Sequence, residues 1–194
     1  GKLAETIPLR LSDTPAYLSF PGERSHTRYG EGLFVGYRWF DARHVPVAFP
    51  FGHGLSYTTF EYGSSSATVA DSGDLTVSVR ISNTGPVAGR EVVQVYTSMP
   101  GSAVQRPPRE LKAFASVSLD AGEARTVTLT VRRSDLAYWD TAVGSWIVED
   151  GDYEVRLGAS SRDIRCTVTV PVVGDVVVLP LDRQSTIGEV LAHP

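Results

Sequence analysis

The stretch DLTVSVRIS, residues 74–82, decides the fold, because its apolar and polar side chains alternate. Successive side chains of a β-strand point to opposite faces, so this alternation predicts a strand with one buried face and one solvated face. The apolar face carries Leu75, Val77, Val79 and Ile81. A strand of this kind needs a second apolar layer to cover its buried face.

Three further stretches repeat the alternation toward the C-terminus. They read REVVQVYTS, RTVTLTVR and IRCTVTV, at residues 90–98, 125–132 and 164–170. The turn-forming triplets NTG and DAG lie among these stretches and mark where strands end. In the last stretch the alternation places Cys166 on the apolar face, which predicts that its thiol faces the core.

The segment WIVEDGDYEVRLG, residues 146–158, is typical of a β-hairpin. Asp150 and Gly151 lie between two β-rich arms, and an Asp-Gly pair favours a turn with positive φ. With the other stretches this gives six or seven short strands over roughly 100 residues. The pattern predicts a mainly β fold, an antiparallel sandwich of the immunoglobulin or fibronectin type III type, and favours a sandwich over a barrel.

Composition and charge limit the partners. Of 194 residues 42% are hydrophobic, enough for a sizeable core. The formal net charge of −4 argues against a nucleic-acid or anionic-membrane partner, since both attract clustered cations. No stretch approaches the roughly 20 apolar residues needed to span a bilayer. Cys166 is the single cysteine, so thiol usage does not distinguish a secreted from a cytoplasmic protein.

The two ends of the chain do not follow the alternating pattern. Residues 1–48 contain four prolines and one aromatic stretch, LFVGYRWF at residues 33–40, which is too short to form a core alone. We expect this segment to belong to another domain. In the tail, Thr186 and Glu189 have the spacing of a capping box and predict a helix. Both ends are expected to continue into further sequence.

Glu31 and Asp41 form the carboxylate pair that most resembles a catalytic one. Ten residues separate them in an irregular segment, so the sequence fixes no distance between the two groups. Catalysis by this pair is one hypothesis. The interpretation we favour is that both carboxylates hold loops through backbone hydrogen bonds or form ion pairs with Arg28 and Arg38.

The aromatic residues near position 37 allow two interpretations. Read as a strand, the stretch places Tyr37 and Trp39 on one side and Phe34 and Phe40 on roughly the other. One side would then be available to stack on the apolar face of a pyranose ring. Packing in a core or a domain interface is the interpretation we favour.

No metal site is predicted from the histidines or from the acidic turn near residue 150. The histidines lack metal-ligand spacing, and the acidic turn lacks the EF-hand pattern. His53 lies between two glycines, where we expect its imidazole to bond a backbone carbonyl. These histidines include His26, His44 and His53, and the acidic turn comprises Glu149, Asp150 and Asp152.

Two longer motifs resemble a known family of enzymes. RYGEGLFVGYRWFD, residues 28–41, and FPFGHGLSYTTFEY, residues 49–62, resemble the end of the α/β domain of family-three glycoside hydrolases and its junction with a fibronectin type III-like domain. GREVVQVYTS and WIVEDGDYEVRLGASS are similar to that last domain. The resemblance covers nearly all of the chain.

The resemblance implies a division of the chain into four parts. Residues 1–48 would be the C-terminal fragment of an α/β domain, and residues 49–63 the connector between domains. Residues 64–173 would form the fibronectin type III-like sandwich. The tail, residues 174–194, would pack back on the other domains.

The resemblance also implies the activity of a retaining β-glucosidase-like enzyme, which releases sugars from the non-reducing end of β-glycosides. Retention uses two carboxyl groups about 5–5.5 Å apart. In the family these are an aspartate on a TIM-type barrel and a glutamate on the α/β domain. Both lie outside the matching motifs, so we expect no catalytic residue in this chain and no cofactor. The expected partners are the remainder of the enzyme and a β-glycoside.

The resemblance implies two groups of site residues. Glu31, Tyr37 and Arg38 are expected next to the substrate. An interdomain contact is expected from Phe49, Phe51, His53, Leu55 and Tyr57. The alternative is an autonomous fibronectin type III-like module that binds carbohydrate or another partner without catalysis; such a module has no use for residues 1–48.

Overall fold

The computed structural model describes residues 1–178, 181 and 185–192. In the N-terminal third, strands β1 (Ile7–Pro8) and β2 (Val47–Phe49) form an antiparallel pair, and helix α1 spans Tyr37–Ala42. Short 3₁₀ helices occupy Leu11–Asp13 and Arg133–Leu136. The other elements are β3 (Phe60–Val69), β4 (Leu75–Asn83), β5 (Gly89–Ser98), β6 (Glu110–Leu119), β7 (Ala124–Val131), β8 (Tyr138–Asp140), β9 (Ser145–Ile147), β10 (Gly151–Gly158), β11 (Ile164–Val172) and α2 (Ile187–Ala192).

Two antiparallel sheets form the predicted sandwich. One sheet has the strand order β3-β4-β7, and the other has the order β11-β10-β5-β6. β11 lies beside β3, and β6 lies beside β7, so the two sheets meet along both margins. The predicted fold class is confirmed.

The core lies between the two sheets. The four apolar residues of β4 named above are all fully buried, as their alternation predicts. They meet Val93 and Val95 of β5 and Leu157 of β10 in one hydrophobic cluster. Burial contributes roughly 1.5–3 kcal/mol for each large apolar side chain. Cys166 packs against this cluster, with its Sγ 3.7 Å from the carbonyl oxygen of Gly63, as predicted from its inward-facing position.

The hairpin predicted across residues 146–158 is wrong. β9 pairs with β8, and β10 instead pairs with β5 and β11. The chain therefore crosses from a small two-stranded sheet into the large sheet at this point. Gly151 has a φ of +142°, a value that favours glycine, but it does not close a two-strand turn.

Contacts with distant segments explain this crossing. The Val148 N–H donates to Asp175 Oδ2 at 2.8 Å, and the Gly174 N–H donates to Asp150 Oδ1 at 3.0 Å. The Glu149 carboxylate accepts the Ala103 N–H at 2.8 Å. These bonds hold residues 148–150 against other parts of the chain, and these residues form no turn between β9 and β10.

Asp175 predicts how stability depends on pH. The Val148 N–H, and with smaller effect Arg133, lower the pKa of its carboxyl below the ordinary value of 3.8. A carboxyl with a lowered folded-state pKa stabilises the fold above its unfolded pKa, and this contribution is lost as the pH falls through the folded pKa. In thermal melts we expect the stability of the Asp175→Asn variant to fall less than that of wild type as the pH is lowered below about 4.

Asp71→Asn, at an exposed turn, is the control and should show the wild-type dependence of stability on pH. The same dependence on pH in all three proteins would contradict the role assigned to Asp175.

The tail contains the predicted helix. α2 starts directly after Thr186, which is the position of an N-cap. The side chain of Glu189, the second member of the predicted capping box, lies outside the described residues. Within residues 1–178, 181 and 185–192, no helix is long and apolar enough to cross a bilayer.

Candidate functional site

The aromatic stretch near residue 37 is a helix, so the alternation predicted for it is wrong. α1 begins after Gly36, whose φ of +55° favours glycine, and it ends at Ala42. In a helix, residues three and four positions apart share a face. Tyr37, Phe40 and Asp41 therefore point the same way, and Phe40 and Asp41 are buried.

This face of α1 covers the outer surface of the four-stranded sheet β11-β10-β5-β6. Tyr96 of β5 is fully buried, and its ring lies 5.9 Å from that of Tyr37 in an edge-on contact. Its hydroxyl donates to Gln94 Oε1 at 2.5 Å, while Gln94 Nε2 donates to the Ala159 carbonyl at 2.8 Å. Phe51 completes the aromatic cluster, 5.0 Å from Tyr37. Burial raises the pKa of the Tyr96 hydroxyl, so it remains protonated as a hydrogen-bond donor.

Tyr37 also completes an irregularity in the sheet. The register between β5 and β6 shifts after Val95, which pairs with Ala113, whereas Tyr96 pairs with Leu111. The Leu111 N–H donates to the Tyr37 hydroxyl at 2.7 Å. A bulge of this kind leaves a backbone group without its usual strand partner, and the tyrosine satisfies it.

Asp41 is the centre of an ion-pair cluster between α1 and the sandwich. Its side chain is 4% exposed, and its Oδ1 accepts from Arg162 Nε at 2.8 Å. Arg109 Nε lies 3.6 Å from Oδ2, and Arg162 also donates to the Val45 carbonyl at 2.9 Å. The ion pairs predicted for Asp41 with Arg28 and Arg38 are therefore wrong: its arginines come from the sandwich.

A second charge cluster surrounds Glu110 at the start of β6. Arg106 Nη2 lies 3.4 Å from Glu110 Oε1, and Arg38 Nη2 lies 3.7 Å from Oε2. Lys112 Nζ lies 3.1 Å from the same Oε2. Burial lowers the pKa of Lys112, and Glu110 partly opposes that shift. Arg106 extends the cluster to Glu149, 3.4 Å away.

The five residues predicted to form an interdomain contact divide into two groups. Phe51 and His53 are half-buried, and the His53 ring lies 5.0 Å from that of Phe49, which is 46% exposed. Leu55 is 87% exposed and Tyr57 is 99% exposed. Their contact with another domain stays a prediction.

Gly52 and Gly54 allow the segment predicted as a connector to lie close to its neighbours. Gly52 has a φ of +81°, and a Cβ there would overlap the side-chain amide of Gln94. A Cβ on Gly54 would overlap the Gly1 carbonyl. The Gly52 N–H also donates to the Leu3 carbonyl at 2.8 Å, so this segment is bonded to the start of the chain.

The residues predicted next to the substrate occupy different settings. Glu31 is half-buried, and its carbonyl accepts the Phe34 N–H at 3.0 Å. Tyr37 and Arg38 are engaged with β6, as described above. Within residues 1–178, 181 and 185–192, no group of three or more His, Cys, Asp or Glu side chains could hold a metal ion.

Sequence reasoning missed three of the arginines in these two clusters. Arg106 and Arg109 lie in the segment QRPPREL, and Arg162 in the segment SSRD, where each has the composition of an ordinary exposed loop. A weak signal is present in β5, where Gln94 and Tyr96 occupy the face opposite Val93 and Val95. Burial of both faces there indicates that something covers the sheet.

The seven strands of the two large sheets define a protein with a fibronectin type III-like domain. A family of that description matches residues 91–161. The chain is 49% identical, over 84% of its length, to thermostable beta-glucosidase B of Acetivibrio thermocellus. It is 46% identical, over its full length, to the exo-alpha-(1->6)-L-arabinopyranosidase of Bifidobacterium breve.

Solved structures agree with these relatives. The crystal structure of the Bifidobacterium adolescentis GH3 beta-glucosidase is 43% identical and superposes on all of this chain with a TM-score of 0.93. The beta-glucosidase of Kluyveromyces marxianus in complex with glucose is 45% identical over 89% of the chain, with a TM-score of 0.85.

The chain belongs to glycoside hydrolase family three and matches a C-terminal portion of its members. It spans 22% of the Acetivibrio enzyme, 26% of the Bifidobacterium breve enzyme and 29% of the Bifidobacterium adolescentis chain. The family resemblance inferred from the motifs is confirmed.

Proposed function

We propose that this chain is the C-terminal structural portion of a retaining β-glucosidase-like hydrolase, which releases sugars from the non-reducing end of β-glycosides. The catalytic carboxylates belong to other parts of that enzyme, and the sandwich braces the α/β domain that presents one of them. The chain needs no cofactor for this role.

The observation that carries the proposal is the match over the whole chain. The Bifidobacterium adolescentis enzyme aligns with 100% of it, including the irregular N-terminal third. An autonomous binding module would be expected to match in the sandwich alone. The hydrolase portion is therefore favoured over the module.

The surface of the N-terminal third supports a further contact. Large apolar side chains are exposed there in unusual number, and such surfaces mark interaction sites. A neighbouring α/β domain would cover them. They include Leu9, Leu11, Leu18, Phe20, Tyr29, Val35, Leu55 and Tyr57.

The Asp41 cluster is the contact by which the sandwich would brace the α/β domain. α1 would belong to the end of the α/β domain, at residues 1–48, and Arg162 belongs to the sandwich at residues 64–173. The ion pair between them crosses the connector at residues 49–63 and holds the two parts in one orientation. The tail from residue 174 would return to the same interface, and Glu31, Tyr37 and Arg38 would lie on its substrate side.

Activity tests this proposal directly. The polypeptide that contains this chain should hydrolyse a chromogenic β-glucoside, and the 194-residue chain alone should not. Intact mass and gel filtration of the active material should show the longer polypeptide or a co-purifying piece. Hydrolysis by the isolated chain, or a longer polypeptide without glycosidase activity, would contradict the proposal.

Tyr57 provides a matched test of the interface. Because its side chain is 99% exposed, Tyr57→Ser should change the stability of the isolated chain by less than about 0.5 kcal/mol. In the longer enzyme the same change should cost about 1–3 kcal/mol, since a buried aromatic side chain is removed. Thermal or urea unfolding of both proteins measures the difference, with Val87→Ser in the sandwich as control. Equal effects in both proteins would refute burial of Tyr57.

A further inference from the structure

An open groove lies where the β8–β9 hairpin meets the segment that carries α1. Its volume is about 540 Å³, within the range of about 300–1,000 Å³ that is common for ligand sites. Residues from three parts of the chain line it, so it is built by the fold and not by one loop. They include Leu33, Arg38, Glu110, Trp139, Asp140 and Trp146.

Two exposed tryptophans form one wall of this groove. Trp139 and Trp146 are directly opposite each other on β8 and β9. Their ring centroids lie 5.6 Å apart with planes at 74°, an edge-on contact. They are 50% and 65% exposed. The contact uses one edge and one face, so broad indole surface stays open to the groove.

The hydrogen-bonding groups beside the tryptophans are held in place. Asp140 Oδ2 accepts from the Tyr138 hydroxyl at 3.0 Å, and Oδ1 accepts the Ala142 N–H at 2.8 Å. Arg38, which also lines the groove, forms an ion pair with Glu110 at 3.7 Å. A carboxylate offers hydrogen-bond acceptors and a guanidinium offers donors, so the two groups together can bond the hydroxyls of a sugar.

The charges around the groove indicate an uncharged ligand. Two cationic side chains, Arg38 and Arg106, and two carboxylates, Glu110 and Asp140, line it, so their formal charges balance. No excess of one sign remains to attract an anion or a cation.

We propose that this groove binds a pyranose residue of an uncharged β-linked oligosaccharide. The apolar face of the sugar ring stacks on the indole surface, and its hydroxyls bond the polar groups of Arg38 and Asp140. The choice of a glycoside as ligand rests on the proposed function, but the binding needs no catalytic group. The competing occupant of the groove is the remainder of the polypeptide.

Titration of the 194-residue chain with cellobiose tests the proposal, because tryptophan fluorescence and saturation-transfer NMR report binding without catalysis. We expect a saturable response with a dissociation constant of about 1 mM, typical of an open site that pairs one stacking contact with a few hydrogen bonds. Sorbitol, which has hydroxyls but no ring face, should give no response. The assay is independent of hydrolysis, so its failure is distinguishable from failure of the proposed function.

Tryptophan variants test whether cellobiose binds in this groove. Trp139→Ala and Trp146→Ala should each weaken cellobiose binding roughly tenfold, and both should fold, since the side chains are exposed. Phe114→Ala removes an exposed aromatic ring that does not line the groove and should bind like wild type. Absence of a saturable response, or a response that survives in the double tryptophan variant, would overturn the proposal.

Accessibility in the longer enzyme completes the test. Acrylamide should quench Trp146 there as well as it does in the isolated chain, with Trp146→Phe identifying the signal. If the longer enzyme shields Trp146 from acrylamide, the remainder of the polypeptide covers the groove and the sugar site is refuted.

Discussion

Replacing Arg106 by alanine will lower the free energy of unfolding of this chain by about 3–5 kcal/mol. The guanidinium is 8% exposed and donates to the Leu136 carbonyl at 2.7 Å. It also faces Glu110 and Glu149, each at 3.4 Å, and lies over the Tyr153 ring. Its removal leaves Glu149 without its cation, takes one of three cations from Glu110 and leaves one carbonyl without a donor, which is costly in a poorly solvated site.

Urea unfolding of the variants measures this loss. Arg106→Lys retains the charge but not the planar fork, so its loss should be smaller than that of the alanine variant. Arg125→Ala is the matched control: its pair with Glu123 is short, 2.7 Å, but the arginine is 56% exposed. Exposed pairs contribute about 0–1 kcal/mol. An Arg106→Ala loss no larger than that of Arg125→Ala would show that burial does not decide the strength of this network.

Replacing Asp41 by alanine will cost about 2–3 kcal/mol and will loosen α1 before the sandwich opens. The carboxylate is buried, while Arg162 and Arg109 keep partial access to water with exposures of 32% and 21%. The cost is therefore lower than at Arg106, because both arginines can regain hydration. The lost ion pair connects the helix to the sandwich, so its effect should be local first.

Hydrogen exchange followed by NMR distinguishes local from global opening. In Asp41→Ala the amides of α1 should exchange faster, while those of β4 remain protected. Asp41→Asn retains the shape and one hydrogen bond and should lose less stability. Asp71→Ala, an exposed aspartate in a turn, should exchange like wild type. Uniformly faster exchange in both α1 and β4 would indicate that the helix and the sandwich open as one unit.

The sequence predicts the parts of this fold that local periodicity determines. Alternation identifies the inward face of β4, because each side-chain direction follows from its neighbour two residues away. The capping-box spacing at Thr186 locates the start of α2, because a helix cap also depends only on residues close together in the sequence. The family motifs correctly indicate which larger protein the chain resembles, although they say nothing about individual contacts.

Contacts between distant residues could not be predicted in this way. Asp41 and Arg162 are 121 positions apart, and no local pattern pairs an acid with one arginine rather than another. The Asp150-Gly151 pair indicates where the chain can bend, but it does not indicate which strands then pair, and the bonds of Asp175 and Glu149 to distant backbone groups have no local signal. The sequence around α1 favours a strand as much as a helix, because the spacing of its four aromatic residues is compatible with either period.

The cover that α1 and Phe51 provide over Gln94 and Tyr96 has a consequence for exchanging parts between relatives. A sandwich transplanted without α1 and Phe51 would expose the Tyr96 ring and the Gln94 amide on the outer surface of its four-stranded sheet. A chimera should therefore join its donors upstream of Lys2, whose ammonium lies 2.9 Å from Glu91 on the same sheet. In such a chimera α1 and β5 come from the same donor, so the residues that pack against each other stay matched.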